Sequence, residues 1–423
     1  MKTLLKQIRN EWRSNLFLFV ELLLVFTVLW YIVDWTVVTV RVYNAPMGFD
    51  TDHCYNIDLG KYTSKATAYN PALTKEDDME DLLQIVDRLK HRPGVEAVAL
   101  SHNCYPYNEG SNVVRIVVDT VMLQARYFII EPDFFRVFRI QAADGSGTDK
   151  LVEAVRRKEI VITSNLTDDY PELGLADASS LLGREVPYWD PDAPVRHRIG
   201  AIAAPVRWSH FYTSHEYGGA FITSTLDMDL LLGEYEDPRY ITLSLRVSAE
   251  EDHDFIDRLM DDADRLYQVG NLYLLNVTSF KELREISELE DVNEVKTQLC
   301  VLGFLLMNIF LGVIGTFWFR TQHRRGEVAL RMAMGSSRSE IFMRLMTEGV
   351  LLLTLAAVPA ALIAFNVGIA ELVDVGKMNF TADRFLLGIV FTWLLMAVMI
   401  VAGIWYPASR AMKVQPAEAL HDE

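Results

Sequence analysis

Apolar residues gather in four long runs that are spaced very unevenly along the chain. They cover about Leu16 to Val40, Leu299 to Phe319, Met346 to Ala370 and Phe385 to Tyr406. Each reaches the ~20 residues that an α-helix needs to cross the ~30 Å hydrocarbon core, so four transmembrane helices are predicted. The first run is longer than the ~7–15-residue core of a cleaved signal and lacks a small-x-small site behind it, so it is expected to stay as an anchor. One run opens the chain and three crowd its last third, which leaves residues 41–296 as one large folded domain on a single side of the membrane.

Within that domain the pattern alternates between the two-residue and the 3.6-residue period. Strands are predicted at Val95 to Leu100, Val113 to Val118, Arg126 to Ile130, Ile160 to Thr163, His197 to Ala203, Ile241 to Val247 and Leu272 to Val277. A helix is predicted over Lys75 to His91, with Thr74 as its N-cap, Met79, Leu82, Leu83, Val86 and Leu89 as its apolar stripe, and Pro93-Gly94 behind its end. A second is expected over Ala249 to Val269. Residues 131–235 are richer in Gly, Pro and short strands, and read as an inserted β-rich subdomain. The charged segment Thr278 to Lys296 enters the second run without a Gly or Pro, which predicts one continuous helix. The fold class is thus a four-helix membrane protein with a large external mixed α+β domain containing a β-rich insertion.

Charge orients the chain. Lys2, Lys6, Arg9 and Arg13 precede the first run, and Arg320, Arg324, Arg325, Arg331, Arg338 and Arg344 lie between the second and third, whereas Glu371, Asp374 and Asp383 mark the short loop before the fourth. Basic loops stay in the cytoplasm. The expected order is a cytoplasmic segment 1–15, helix 16–40, external domain 41–296, helix 297–319, cytoplasmic loop 320–345, helix 346–370, external loop 371–384, helix 385–406 and cytoplasmic tail 407–423. The net charge of −17 must then sit outside, which argues against nucleic acid as a partner. Cys54 and Cys104 share the outer side, where an oxidising compartment permits one disulfide between them. Inside the first run, Glu21 and Asp34 are unusual for a membrane centre; Asp34 is expected near the outer surface, and Glu21 within reach of Arg13, a neighbouring helix or the interface.

The most specific local pattern is the loop RTQHRRGEVALRMAMGSSRSEIFMRLMTE, residues 320–348. Gly335 supplies a C-cap, and Ser337 with Glu340 forms an S-x-x-E capping box that starts the next helix. Taken alone, this basic amphipathic corner suits a partner protein and the lipid surface about equally. The run Arg325-Gly326-Glu327-Val328-Ala329-Leu330-Arg331-Met332-Ala333-Met334-Gly335-Ser336-Ser337 resembles the R-x-E-I-x-x-R-x-A-x-G-A-x motif of FtsX-like, MacB-type ABC transporter permeases. The tail from Pro407 to Leu420 is similar to their ending P-A-x-R-A-x-x-x-x-P-x-E-A-L. The order of one helix, a large external domain and three helices also matches, so the resemblance covers the whole chain. Val328 and Ser336 depart from the family's usual Ile and Ala.

The resemblance implies that a cytoplasmic ABC ATPase docks on this loop, with Arg325, Glu327, Leu330, Arg331, Gly335, Ser336, Ser337 and Glu340 as the coupling residues. It also implies a pair of permeases, either two copies or this chain with a homologue, in a bacterial inner membrane with both termini cytoplasmic and with a partner in the periplasm or outer membrane. The chain itself has no G-x-x-x-x-G-K-[ST], so ATP and its magnesium belong to the partner and no cofactor is expected here. His215-Glu216 lacks a second histidine where Gly219 stands, no G-x-S-x-G elbow occurs, and Asp52-His53-Cys54 has no third partner, so an enzyme is not expected. Two functions fit: export or extraction of a peptide, lipid or lipoprotein by mechanotransmission, or regulation of an envelope hydrolase or signalling pathway with no transport.

Overall fold

The computed structural model describes residues 12–108, 110, 112–215, 219–227, 237–323, 330, 332 and 334–411. Contacts divide the chain into two compact units, Val42–Glu290, and Met1–Arg41 together with Asp291–Glu423.

The first unit is built on one sheet of eleven strands. In chain order these are β1 (Cys54–Lys61), β2 (Val95–His102), β3 (Asn112–Val118), β4 (Val121–Ile130), β5 (Ile160–Thr163), β6 (Glu185–Val186), β7 (His197–Ala203), β8 (Phe221–Thr225), β9 (Thr242–Val247), β10 (Gln268–Val269) and β11 (Leu272–Ser279). Their spatial order is β10-β11-β1-β9-β2-β4-β8-β5-β7-β6, with β3 also paired to β4. The pairs β4/β8 and β5/β7 are parallel, and the remaining pairs antiparallel. Strand β4 alternates strictly: Leu123, Ala125 and Ile129 point to one face, Phe128 and Ile130 to the other, and all are buried. Through the β4/β8 pair, strands β5, β7 and β8 of the segment 131–235 join the same sheet.

The helices α1 (Trp12–Tyr43), α2 (Lys75–Lys90), α3 (Phe134–Val137), α4 (Asp149–Arg156), α5 (Phe255–Asp261), α6 (Ala263–Leu266), α7 (Phe280–Ser287), α8 (Leu289–His323), α9 (Arg338–Ile369) and α10 (Ala382–Ala411) complete the described elements of regular α-helix. Helix α2 starts where Thr74 accepts from the Asp77 amide and Asp77 accepts from the Thr74 amide, a capping box. Its stripe of Met79, Leu82, Ile85, Val86 and Leu89 packs on Ile57, Val98, Leu100, Leu243 and Leu245 of the sheet. A second core joins Phe128, Phe221 and the Phe134-Phe135-Val137-Phe138 turn to Leu151, Val152 and Val155 of α4. The long helix expected over Ala249 to Val269 is instead α5, α6 and β10, because Asp254 takes a left-handed conformation (φ 51°) and β10 is drawn onto β11.

The second unit is a bundle of α1, α8, α9 and α10, each containing a stretch long and apolar enough to cross a membrane. Leu18, Leu22, Phe26, Leu29 and Trp30 of α1 meet Ile309 and Val313, Leu352, Leu353 and Ala356, and Met396 and Ile400 in one core. Small residues Ala356, Ala360 and Ala364 at four-residue spacing form the fully buried ridge of α9.

Candidate functional site

The corner ahead of α9 is local chemistry made visible. Gly335 sits at φ 101°, a left-handed conformation that an L side chain adopts only with strain. Its amide donates to Met332 O at 3.1 Å, and the Met334 amide to Leu330 O at 3.0 Å, which closes the preceding turn. The chain restarts two residues later: the Glu340 amide donates to Ser337 Oγ at 3.2 Å, and the Ser337 amide to Glu340 Oε2 at 3.1 Å. These reciprocal bonds fix the first turn of a helix of 32 residues. Leu330 and Met334 are exposed on the turn, at 51% and 72%. Arg325, Glu327 and Arg331 lie outside the described residues; Leu330, Gly335, Ser336, Ser337 and Glu340 are brought together within one corner.

Sequence reasoning missed the strongest polar contact in the helical unit. Asp34 of α1 and Arg384 of α10 are both buried and form a bidentate pair, Nη2 to Oδ2 at 2.6 Å and Nε to Oδ1 at 3.0 Å. Arg384 Nη1 also donates to Asp374 O at 2.9 Å and to Met378 O, so the loop before α10 is tied to the same cation. Asp34 is enclosed, and its lone pairs are satisfied by a guanidinium fork. The signal was present as one acid in the first run and one base at the mouth of the fourth. Glu21 is half-buried against α8, where a Cβ on Gly312 would stand 2.6 Å from its Oε1, so the absence of a side chain there makes room for the carboxylate.

A second missed site brings together the two ends of the sheet unit. The single residue Glu288 interrupts the expected continuous helix, separating α7 from α8. Its buried carboxylate accepts from the His210 backbone amide and lies 2.8 Å from His210 Nδ1, and accepts from Arg284 Nε at 2.9 Å. Arg284 in turn donates to Tyr43 Oη at 2.7 Å, and Tyr43 packs edge-on to Phe211. Burial alone would raise the Glu288 carboxyl, but the His210 and Arg284 donors outweigh it and hold it below the ordinary carboxylate value. The helix breaks because this carboxylate is turned inward to a loop.

The disulfide anticipated between Cys54 and Cys104 is not formed. Both are free, buried thiols. Cys54 Sγ donates to Val137 O at 3.3 Å, at the end of α3, and Cys104 Sγ to Ile129 O of β4 at 3.6 Å. Burial pushes both thiols up to about 12. Among the described residues no group of three or more His, Cys, Asp or Glu side chains is placed to hold a metal ion.

One mixed sheet unit is thus joined to four helices long and apolar enough to cross a membrane. Residues 299–416 match the family model described as FtsX-like permease C-terminal. A comparison with curated proteins found no match. Among solved structures, the chain is similar to a domain of a putative permease protein from Porphyromonas gingivalis (12% identity, 55% of this chain and 92% of that one, TM-score 0.33). It is also similar to the extracellular domain of the noncanonic ABC-type transporter YknZ from Gram-positive bacteria (16%, 52% and 100%, TM-score 0.30) and to the periplasmic region of MacB from Actinobacillus actinomycetemcomitans (10%, 59% and 98%, TM-score 0.30).

Proposed function

We propose that this chain is the transmembrane subunit of an ABC system, driven by a separate cytoplasmic ATPase whose hydrolysis cycle moves the external sheet unit to export or extract a peptide, lipid or lipoprotein. The observation that carries this reading is the match to an FtsX-like permease over 299–416, which contains the Gly335–Glu340 corner. A stiff corner suits force transfer: exposed Leu330 and Met334 offer an apolar foothold, and the capping box passes displacement into α9 without unwinding its first turn. Apolar, bulky span interiors favour transmission over an aqueous channel. The least buried candidate span, Leu289–Thr316 at 11%, leaves an apolar face that fits lipid or a second permease. The chain is assigned to a bacterial inner membrane with both termini cytoplasmic, following its basic loops.

Mild-detergent purification followed by mass spectrometry tests the assignment. Recovery of a P-loop ATPase is expected. With that ATPase in hand, Gly335→Pro and Glu327→Lys should insert normally and separate ATP hydrolysis from function. Unchanged coupling in both variants would refute the contact.

A further inference from the structure

Four arginines of the described chain are almost wholly buried, and three of them each have several acceptors. Arg384 has Asp34. Arg246 has Asp50 at 3.4 Å and the carbonyls of Val137, Asp52 and Asp50. Arg207 donates to the carbonyls of Val42, Ala45 and Tyr212.

Arg126 on β4 is different. It is 7% exposed, yet among the described residues no carboxylate lies within ion-pair reach of it. Among the described residues one acceptor is recorded for its five N–H donors, Gly110 O at 3.2 Å. Its guanidinium lies flat on Trp208, 3.4 Å from the ring centroid, with Phe128 5.7 Å away on the same strand face. Stacking on an aromatic face accounts for the orientation of the group but supplies little against the cost of burying a cation without a counter-ion. Burial lowers its pKa to about 10, the direction expected for a charge missing its partner.

The same side chain lines an open pocket of about 370 Å³. Gln124 and Val113 share its strand face, Tyr170, Ser214 and His215 contribute hydroxyl and imidazole groups, and Asp169 lies on the lining without pairing to Arg126. The volume exceeds what a single inorganic ion fills, and falls at the lower end of small-ligand sites.

We infer that this pocket is a binding site for a ligand carrying an oxyanion, a carboxylate or a phosphate, which docks on the free edge of the Arg126 guanidinium and completes its coordination. Arg fits either group through paired N–H donors. Asp169 accepts a hydrogen bond from the rest of the ligand, which favours a molecule with a donor beside its acid, and the Tyr170 hydroxyl, which already accepts from the Gln124 amide, donates to it. The site lies wholly in the sheet unit and does not depend on how the membrane helices are driven.

The test uses the full-length chain in neutral detergent at constant ionic strength, with chloride as the reference anion. Acetate, inorganic phosphate and the water-soluble dihexanoyl phosphatidic acid are titrated separately, following thermal unfolding and tryptophan emission. At least one oxyanion is expected to raise the unfolding temperature saturably over chloride, and the one that does distinguishes a carboxylate, a free phosphate or a lipid phosphate. Arg126→Gln should weaken that response at least tenfold while unfolding at no lower a temperature than the parent in chloride, since a neutral amide replaces an uncompensated charge. Val113→Glu, directly opposite Arg126 in the β3/β4 register, provides an internal carboxylate and should abolish the response in a protein more stable than the parent. No saturable response to any of the three anions, or equal responses in the parent and both variants, overturns the inference.

Discussion

Removing one partner of the Asp34–Arg384 pair should be the most damaging single polar change in the helical unit. In Asp34→Asn the Arg384 cation keeps Asp374 O and Met378 O but loses both charge-assisted bonds, while remaining fully enclosed. Breaking a buried pair in this way costs about 3–5 kcal/mol, most of it the penalty of the orphaned charge. Replacing both partners by apolar residues of similar size, Asp34→Leu with Arg384→Met, removes that orphan and should recover most of the loss. The double variant is then more stable than either single one, a coupling of the opposite sign to simple addition. The assay is denaturant unfolding of the purified protein in detergent, read by tryptophan fluorescence, for the parent, both singles and the double. If Asp34→Asn costs less than about 1 kcal/mol, or if the double variant loses the sum of the two singles, the pair is not the enclosed clamp described here.

Three further outcomes follow. Glu288→Gln should cost about 1.5–3 kcal/mol at neutral pH, the range for a charge-assisted bond, and should flatten the acid limb of stability. The sign is fixed by the lowered carboxyl: its contribution is present above the ordinary value of 4.5 and is lost as the pH falls through the depressed folded value, so melting should fall off more steeply in the parent than in the variant below about pH 4.5. Gly335→Ala should cost about 1–2 kcal/mol through its left-handed conformation, and Ser337→Ala about 0.5–2 kcal/mol through loss of the cap; hydrogen exchange of the first amides of α9 should rise in both. Cys54 and Cys104 should resist maleimide in the native protein and react once it is unfolded, and reducing agent should leave the melting temperature unchanged, because both thiols are enclosed and unpaired.

Periodicity exposed whatever depends on neighbours in sequence. The four apolar helices, the Thr74-capped α2, the strands Ile160–Thr163 and His197–Ala203, and the Ser337–Glu340 box are all written within a few residues, and all appear as read. What escaped depends on partners far apart. Asp34 and Arg384 are 350 positions apart, and Glu288 and His210 78, so neither acid carries any local sign of its base. The same holds for the pairing that carries the segment 131–235 into the sheet: the parallel β4/β8 ladder joins Arg126 to Phe221, far apart in the chain. The cysteines erred in the other direction, since compartment alone licensed a bridge that the start of β1 and the loop after β2 do not make.

Strand β1 has consequences for the order in which the chain can be completed. Its two neighbours are β9 and β11, the one beginning at Thr242 and the other ending at Ser279. As the polypeptide emerges from its N-terminus, the apolar residues Ile57 and Leu59 have no edge to join until almost the whole sheet unit has followed. Closure of the sheet is thus among the last events before α8 enters the membrane, and a ribosome stalled before Thr242 would display an unzipped, aggregation-prone strand.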